Sequence, residues 1–103
     1  MAESARILLV VWIDVIDRDV YEQYAERVPA TVELYGGKYV ARGPATPAGG
    51  DWNPERIIII EFPSRERMSE WSSSPEYTAI KGLRERSATT RAAVVDAAPG
   101  PHA

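Results

Sequence analysis

An α+β fold, with two helices laid across one face of a four-stranded antiparallel sheet, is what this 103-residue sequence predicts. Three observations lead there. The runs Arg6–Val15 and Arg56–Phe62 are rich in β-branched residues and too short for helices with such flanks. Two other segments repeat apolar residues at three- and four-residue steps, the spacing of a helix with one buried face. The segments follow one another as β-α-β-β-α-β with no short internal repeat, the ferredoxin-like or split βαβ pattern.

In the first strand the odd positions Ile7, Leu9, Val11, Ile13 and Val15 are all aliphatic, and the even positions are Leu8, Val10, Trp12 and Asp14. Asp17-Arg18-Asp19 starts a helix with acids at the positive end of its dipole. Val20, Tyr21, Tyr24, Ala25, Val28, Val32 and Tyr35 form its apolar face. Pro29 has no N–H for the Ala25 carbonyl, so a kink or break is expected there. Gly36-Gly37 ends the helix. Lys38–Arg42 is a weaker second strand. Residues 43–55 form a loop with three glycines, three prolines and Trp52, longer than most hairpin connections and of the kind that often covers a site.

Arg56–Phe62 is the third strand. Pro63-Ser64 opens a short helix with Met68 and Trp71 inward, interrupted at Ser72–Pro75. Ser74 as N-cap and Pro75 as first helical residue open the next. That helix carries Tyr77, Ile80 and Leu83 inward and Glu76, Lys81, Arg84 and Glu85 largely outward. Thr90–Ala97 is the last strand. Residues 1–97 are expected to form one domain, and residues 98–103 a flexible tail.

Composition removes several classes of function. Lys and Arg number 12 against 15 Asp and Glu, a net charge of −3, which argues against a nucleic-acid partner. Without cysteine there is no disulfide, thiolate nucleophile or zinc ribbon. The one histidine, His102, lies in the tail, so a histidine triad or a two-histidine metal site inside the fold is excluded, and no metal site is expected. The longest apolar run, Ile7–Ile13, is far short of a membrane span, and Met1–Arg6 lacks the basic start of a signal peptide. A cytoplasmic protein with no membrane partner is the expectation.

The strands also say something about the second sheet face. Two helices bury one face, and a face left in water should alternate with polar residues. Here Leu8, Val10 and Trp12 point away from the helices, as do Ile57 and Ile59 on the third strand. Leaving these five in water would forfeit about 1.5–3 kcal/mol each, a sum that rivals the stability of a small domain. A second copy of the chain is the expected cover, giving a C₂ homodimer of barrel type.

Asp14 and Glu61 share the parity of that face, with Arg42 and Arg56 as the available cations. Convergent polar groups in an apolar setting describe a small-molecule site. Glu61 and Asp14 are candidate proton-transfer residues, with pKa values set by apolar walls. Arg42 and Arg56 are candidate clamps for an acidic ligand. Each has a structural alternative: Asp14 as the polar end of the strand, Glu61 and the arginines as intersubunit ion pairs. Trp12 is a stacking platform or core, Trp52 a lid or a plug against the partner subunit, and Tyr77 a ligand contact or packing. Tyr21, Tyr24 and Tyr35 match the helix stripe and suit core packing.

Tyr21-Glu-Gln-Tyr24, Val28-Pro-Ala-Thr31, Tyr35-Gly-Gly-Lys-Tyr39, Arg42-Gly43, Asp51-Trp52 with Arg56, Ile60-Glu-Phe-Pro-Ser64 and Ser74-Pro-Glu-Tyr77 together resemble the domain-of-unknown-function family numbered 1330. The resemblance runs from about residue 6 to residue 97. It implies a ferredoxin-like fold of the dimeric α/β barrel superfamily, in which many members work without metal or flavin in a cavity between sheet and helices. The family pattern marks Tyr35, Gly37, Arg42, Trp52, Arg56, Glu61, Ser74, Pro75 and Tyr77. The resulting expectation is a small-molecule-binding homodimer, with no cofactor, acting on a small acidic or aromatic metabolite as an isomerase, cyclase, lyase or monooxygenase. Glu61, Asp14 and Arg42 would be catalytic, and Trp12, Tyr35, Trp52, Arg56 and Tyr77 would bind substrate. The alternative is a non-catalytic homodimeric binding or accessory module.

Overall fold

A computed structural model describes residues 6–99; His102 and the rest of the tail beyond them lie outside the described residues. The elements are β1 (Ile7–Val15), α1 (Arg18–Leu34), β2 (Lys38–Pro44), β3 (Arg56–Phe62), α2 (Arg65–Ser72), α3 (Pro75–Ser87) and β4 (Ala88–Asp96). The four strands form one antiparallel sheet in the order β2-β3-β1-β4. Among the described residues no helix is long and apolar enough to cross a membrane.

Register places the odd residues of β1 on the helix face. Ile7, Leu9 and Val11 stand opposite Phe62, Ile60 and Ile58 on β3. On the other side they stand opposite Asp96, Val94 and Ala92 on β4. The helix-face core gathers Ile7, Ile13, Ile58, Ile60 and Phe62 from the sheet with Tyr21, Tyr24, Val28, Val32, Trp71, Tyr77 and Ile80 from the helices. The outer face carries Leu8, Val10, Trp12, Ile57 and Ile59, and no described element lies across it. The described chain is accordingly a slab, 44 × 38 × 16 Å.

The caps follow the sequence. Asp17 accepts from the Val20 N–H at the start of α1, Ser64 from Arg67 N–H at α2, and Ser74 from Tyr77 N–H at α3, where Pro75 is the first residue. Gly37 sits where a Cβ would lie 2.6 Å from Val32 Cγ1 and 2.8 Å from Phe62 Cε1, so only glycine lets the chain turn this close to the core. Gly36 before it has φ +81° and completes the turn.

Three expectations are corrected. Of the kink or break expected at Pro29, the break is overturned: α1 runs from Arg18 to Leu34 with the proline inside. The carbonyl that Pro29 leaves without an N–H, Ala25 O, receives the Arg42 guanidinium at 2.6 Å instead. β2 is longer than Lys38–Arg42 because a bulge at Val40 lets its pairing continue to Pro44. β4 begins at Ala88 rather than Thr90, its pairing with β1 starting at Val15↔Ala88.

Candidate functional site

Ile7 and Ile13 at the two ends of β1 are 1% and 2% exposed, yet Leu9 and Val11 between them are only half-buried. The core has a gap at the centre of the sheet. β4 contributes to it by placing Thr90 and Ala92 opposite Ile13 and Val11, side chains too small to fill the space. The result is a cavity of about 330 Å³ between sheet and helices, within the size range of small-molecule sites. Its walls on the sheet side are aliphatic on β1 and β3, with Tyr39 of β2 and Thr90 of β4 at the flanks. Met68 and Trp71 of α2 close part of the helix side.

One end of the cavity is polar. Tyr24 of α1 and Tyr77 of α3 meet with their hydroxyls 3.0 Å apart. Arg84, two turns along α3 from Tyr77, donates from Nε to the Tyr77 hydroxyl at 3.1 Å and from Nη1 to Thr90 Oγ1 at 2.6 Å. Lys81 lies between them on the same stripe and also lines the cavity. Trp71 packs on Tyr77 with ring centroids 4.3 Å apart and is fixed by its indole N–H, which donates to Thr31 Oγ1 at 2.9 Å.

Electrostatics follow from burial. Burial first, and the neighbouring Tyr77 second, push the Tyr24 phenol well above its ordinary range, so it stays protonated. Burial likewise raises Tyr39, another lining residue, to about 12. Burial pulls the Arg84 guanidinium down, but its contacts with Tyr77 and Tyr24 outweigh that, and the shift is upward. Among the described residues no Asp, Glu or His lines the cavity, whereas Arg84 and the exposed Lys81 do.

Of the catalytic and substrate-binding candidates named from sequence, Tyr77 is the one that lines this cavity. Glu61, Asp14 and Arg42 are not brought together. Glu61 lies on the outer face, opposite Leu8 and Lys38, and pairs with Arg6 at 2.9 Å. Asp14 sits at the other end of β1 and accepts from the Glu55 N–H at 3.0 Å, while Glu55 accepts from the Val15 N–H at 2.9 Å, so the two tie the loop to the strand. Arg42 stands opposite Ile58 on the helix face because of the bulge, with its guanidinium 5.0 Å from the Tyr39 ring centroid.

Trp12 and Trp52 meet edge-on, centroids 5.5 Å apart, beside a smaller cavity of about 230 Å³ at the Asp14 end of the outer face. Trp52 remains 51% exposed, so it half covers that end and no more. Arg56 stands opposite Ile13 and Pro44, outside the main cavity, with its Nε buried and without a partner among the described residues. Tyr35 is a C-terminal anchor of α1: its hydroxyl donates to Glu76 at 2.9 Å, a bond that raises its pKa.

Arg42 therefore serves the helix that Pro29 would otherwise weaken. Arg42→Ala should cost toward the lower end of about 0.5–1.5 kcal/mol, since the contact is exposed. In a Pro29→Ala background, where a backbone N–H is restored for the Ala25 carbonyl, it should cost clearly less. A double-mutant cycle by urea melts reads the difference.

Sequence reasoning missed the part in the cavity of Tyr24, which is core as expected but brings its hydroxyl to the polar end, of Arg84, which is half-buried rather than outward, and of Lys81, which is exposed as expected yet reaches the rim. The spacing Tyr77, Lys81, Arg84 is i, i+4, i+7, one helix stripe, and that signal could have placed both cations with Tyr77.

A family model described as "Domain of unknown function (DUF1330)" matches residues 6–98. No curated protein matches the chain. Among solved structures, a protein of unknown function from Rhodopseudomonas palustris is similar with TM-score 0.80 and 18% identity, over 95% of this chain and 86% of that one. SnoaB, a cofactor-independent oxygenase from Streptomyces nogalater, is similar with TM-score 0.70 and 12% identity, over 95% and 98%. A dimeric ferredoxin-like protein of unknown function from Thermobifida fusca has TM-score 0.69 and 10% identity, over 94% and 95%. At such identities the likeness shows the fold, which is ferredoxin-like.

Proposed function

The chain belongs to the DUF1330 family, whose description assigns no activity, and from its site we propose that it is a homodimer that binds a small acidic or aromatic metabolite in the cavity between sheet and helices and acts on it by cofactor-free acid–base chemistry. The observation that carries this reading is the gap at the centre of the core, largely apolar on the sheet side and ending in the Tyr24–Tyr77–Arg84 cluster. A domain this small gives up stability by leaving Leu9 and Val11 uncovered. A ligand returns it.

The phenols supply a proton donor and Arg84 a fixed cation for charge that develops on the ligand. SnoaB, on the same fold, is a cofactor-independent oxygenase, which supports chemistry without a bound group. Dimerisation is supported by the uncovered apolar outer face and by the dimeric ferredoxin-like neighbour. In that arrangement the Arg6–Glu61 pair and the Trp12–Trp52 contact lie at opposite ends of the interface.

The test is a melt against a panel of small carboxylic, phenolic and enolic metabolites, with Ala92→Phe as the variant that fills the cavity. A ligand at a hundred times its Kd should stabilise the protein by about 2.7 kcal/mol, and Ala92→Phe should remove that gain. A panel without any shift, or a shift that survives Ala92→Phe, overturns the reading. Product formation with the best ligand separates an enzyme from the non-catalytic module.

A further inference from the structure

Counting protons at the polar end of the cavity narrows the ligand. The Tyr77 hydroxyl accepts from Arg84 Nε at 3.1 Å and shares one hydrogen bond with the Tyr24 hydroxyl at 3.0 Å. With both phenols neutral, the pair holds two O–H groups and uses one of them between its members. The bond can run in either direction. If Tyr77 donates to Tyr24, the Tyr24 proton is left over; if Tyr24 donates, the Tyr77 proton is. In both cases one phenolic O–H has no acceptor among the described residues.

Arg84 adds to the surplus. Two of its five N–H groups are used, on Tyr77 and Thr90. Neither Arg84 nor Lys81 forms an ion pair among the described residues. Lys81 is exposed and stands at the rim, so Arg84 is the half-buried cation, and the lining holds no carboxylate among the described residues to balance it, although the whole chain carries a net charge of −3. A donor-rich, cationic end in a largely apolar cavity, whose other polar lining groups are the Tyr39 phenol and Ser72, suits an oxygen with full negative charge on an apolar body.

We infer that the cavity selects the ionised form of an oxyacid with an apolar body (carboxylate, enolate or phenolate), its charged oxygen held between the spare phenolic O–H and Arg84. This rests on the cavity being a ligand site, as proposed above. It goes further in one respect. With no carboxylate or imidazole among the described lining residues to ionise a ligand, the cavity takes an oxyanion that already exists, and the acid–base step proposed above is proton donation from a phenol. Tyr24 and Tyr77 are interchangeable as the donor, because the spare proton passes to whichever phenol is left when the other is removed.

The probes are 1-naphthoate and its uncharged isostere 1-naphthamide, titrated calorimetrically into the full chain at pH 7.5. Naphthoate should bind at least tenfold more tightly than the amide. Arg84→Gln should abolish that preference. Tyr24→Phe and Tyr77→Phe should each weaken naphthoate only a fewfold, whereas the double variant should lose more than the product of the two, a pattern that loss of packing alone does not produce.

Equal binding of acid and amide to the unmodified protein overturns the inference, and needs no variant to fold. If that equal binding is lost in Ala92→Phe, the cavity still stands as a ligand site. Retention of the preference in Arg84→Gln also overturns the inference. Binding of neither probe overturns the inference and counts against the ligand site itself.

Discussion

Ile59→Lys should sediment as a monomer at concentrations where the unmodified chain is a dimer, with its far-ultraviolet circular dichroism unchanged. Ile59 stands at the centre of the outer face, opposite Val10 on β1 and Ala41 on β2. It is half-buried within a single chain, because its cross-strand neighbours shield it from the sides and nothing shields it from above. A lysine there meets water at little cost in the monomer and loses that water in a dimer. Across a two-fold axis the same change is made on both copies, so an uncompensated charge enters the interface twice. A penalty of about 3 kcal/mol or more weakens association at least roughly a hundredfold.

The result distinguishes two accounts of the apolar outer face. Should Ile59→Lys sediment like the unmodified protein, the dimer uses another surface and the sheet is not its interface. Should the unmodified chain itself sediment as a monomer at micromolar concentration, the barrel-type assembly fails outright. The melting temperature of the variant adds a second reading. Dimerisation stabilises by mass action, so the unmodified protein should melt higher as its concentration rises, and Ile59→Lys should not.

Sequence reached the outer face through parity, and parity was sufficient because β1 and β3 are regular. Every residue from Ile7 to Ile13 has its partner between Arg56 and Phe62 without a break. β2 did not yield in the same way. Its bulge at Val40 puts Tyr39 and Arg42, three residues apart, on one face, and nothing in Lys38-Tyr-Val-Ala-Arg42 announces an extra residue. The facing of Arg42 was therefore open until the strands were paired. Once it faces the helices, its bond to Ala25 explains how α1 tolerates Pro29.

The cavity was harder still, since it consists of volume that is absent. Tyr24 reads as core because it lies on the apolar stripe of α1, and it is core, with a hydroxyl that core packing alone does not need. Arg84 reads as solvent-facing because a charge is seldom buried without a partner. The partner is a phenol, which hydropathy does not count. Glu61 and Asp14 were placed on the right face, but a face gives no depth, and their partners Arg6 and Glu55 come from the strand start and the loop.

Trp71→Ala should have the largest effect on stability of any single change at the cavity, about 3–5 kcal/mol, and lower the melting temperature by more than about 12 °C. α2 has eight residues, too few to hold a helix alone. Trp71 is its one buried residue and joins it to everything else: ring to ring with Tyr77 at 4.3 Å and Phe62 at 5.4 Å, and through the indole N–H to Thr31, whose hydroxyl in turn donates to the Val28 carbonyl at 2.8 Å. Removing it deletes the cavity wall and releases the helix together. Hydrogen exchange should therefore lose protection first over residues 65–72, with β1 and β3 retaining theirs. Trp71→Phe, which keeps most of the packing and loses the bond to Thr31, should cost far less. A Trp71→Ala protein that melts within about 3 °C of the unmodified one would mean that α2 does not close the cavity, because a buried tryptophan cannot be removed so cheaply.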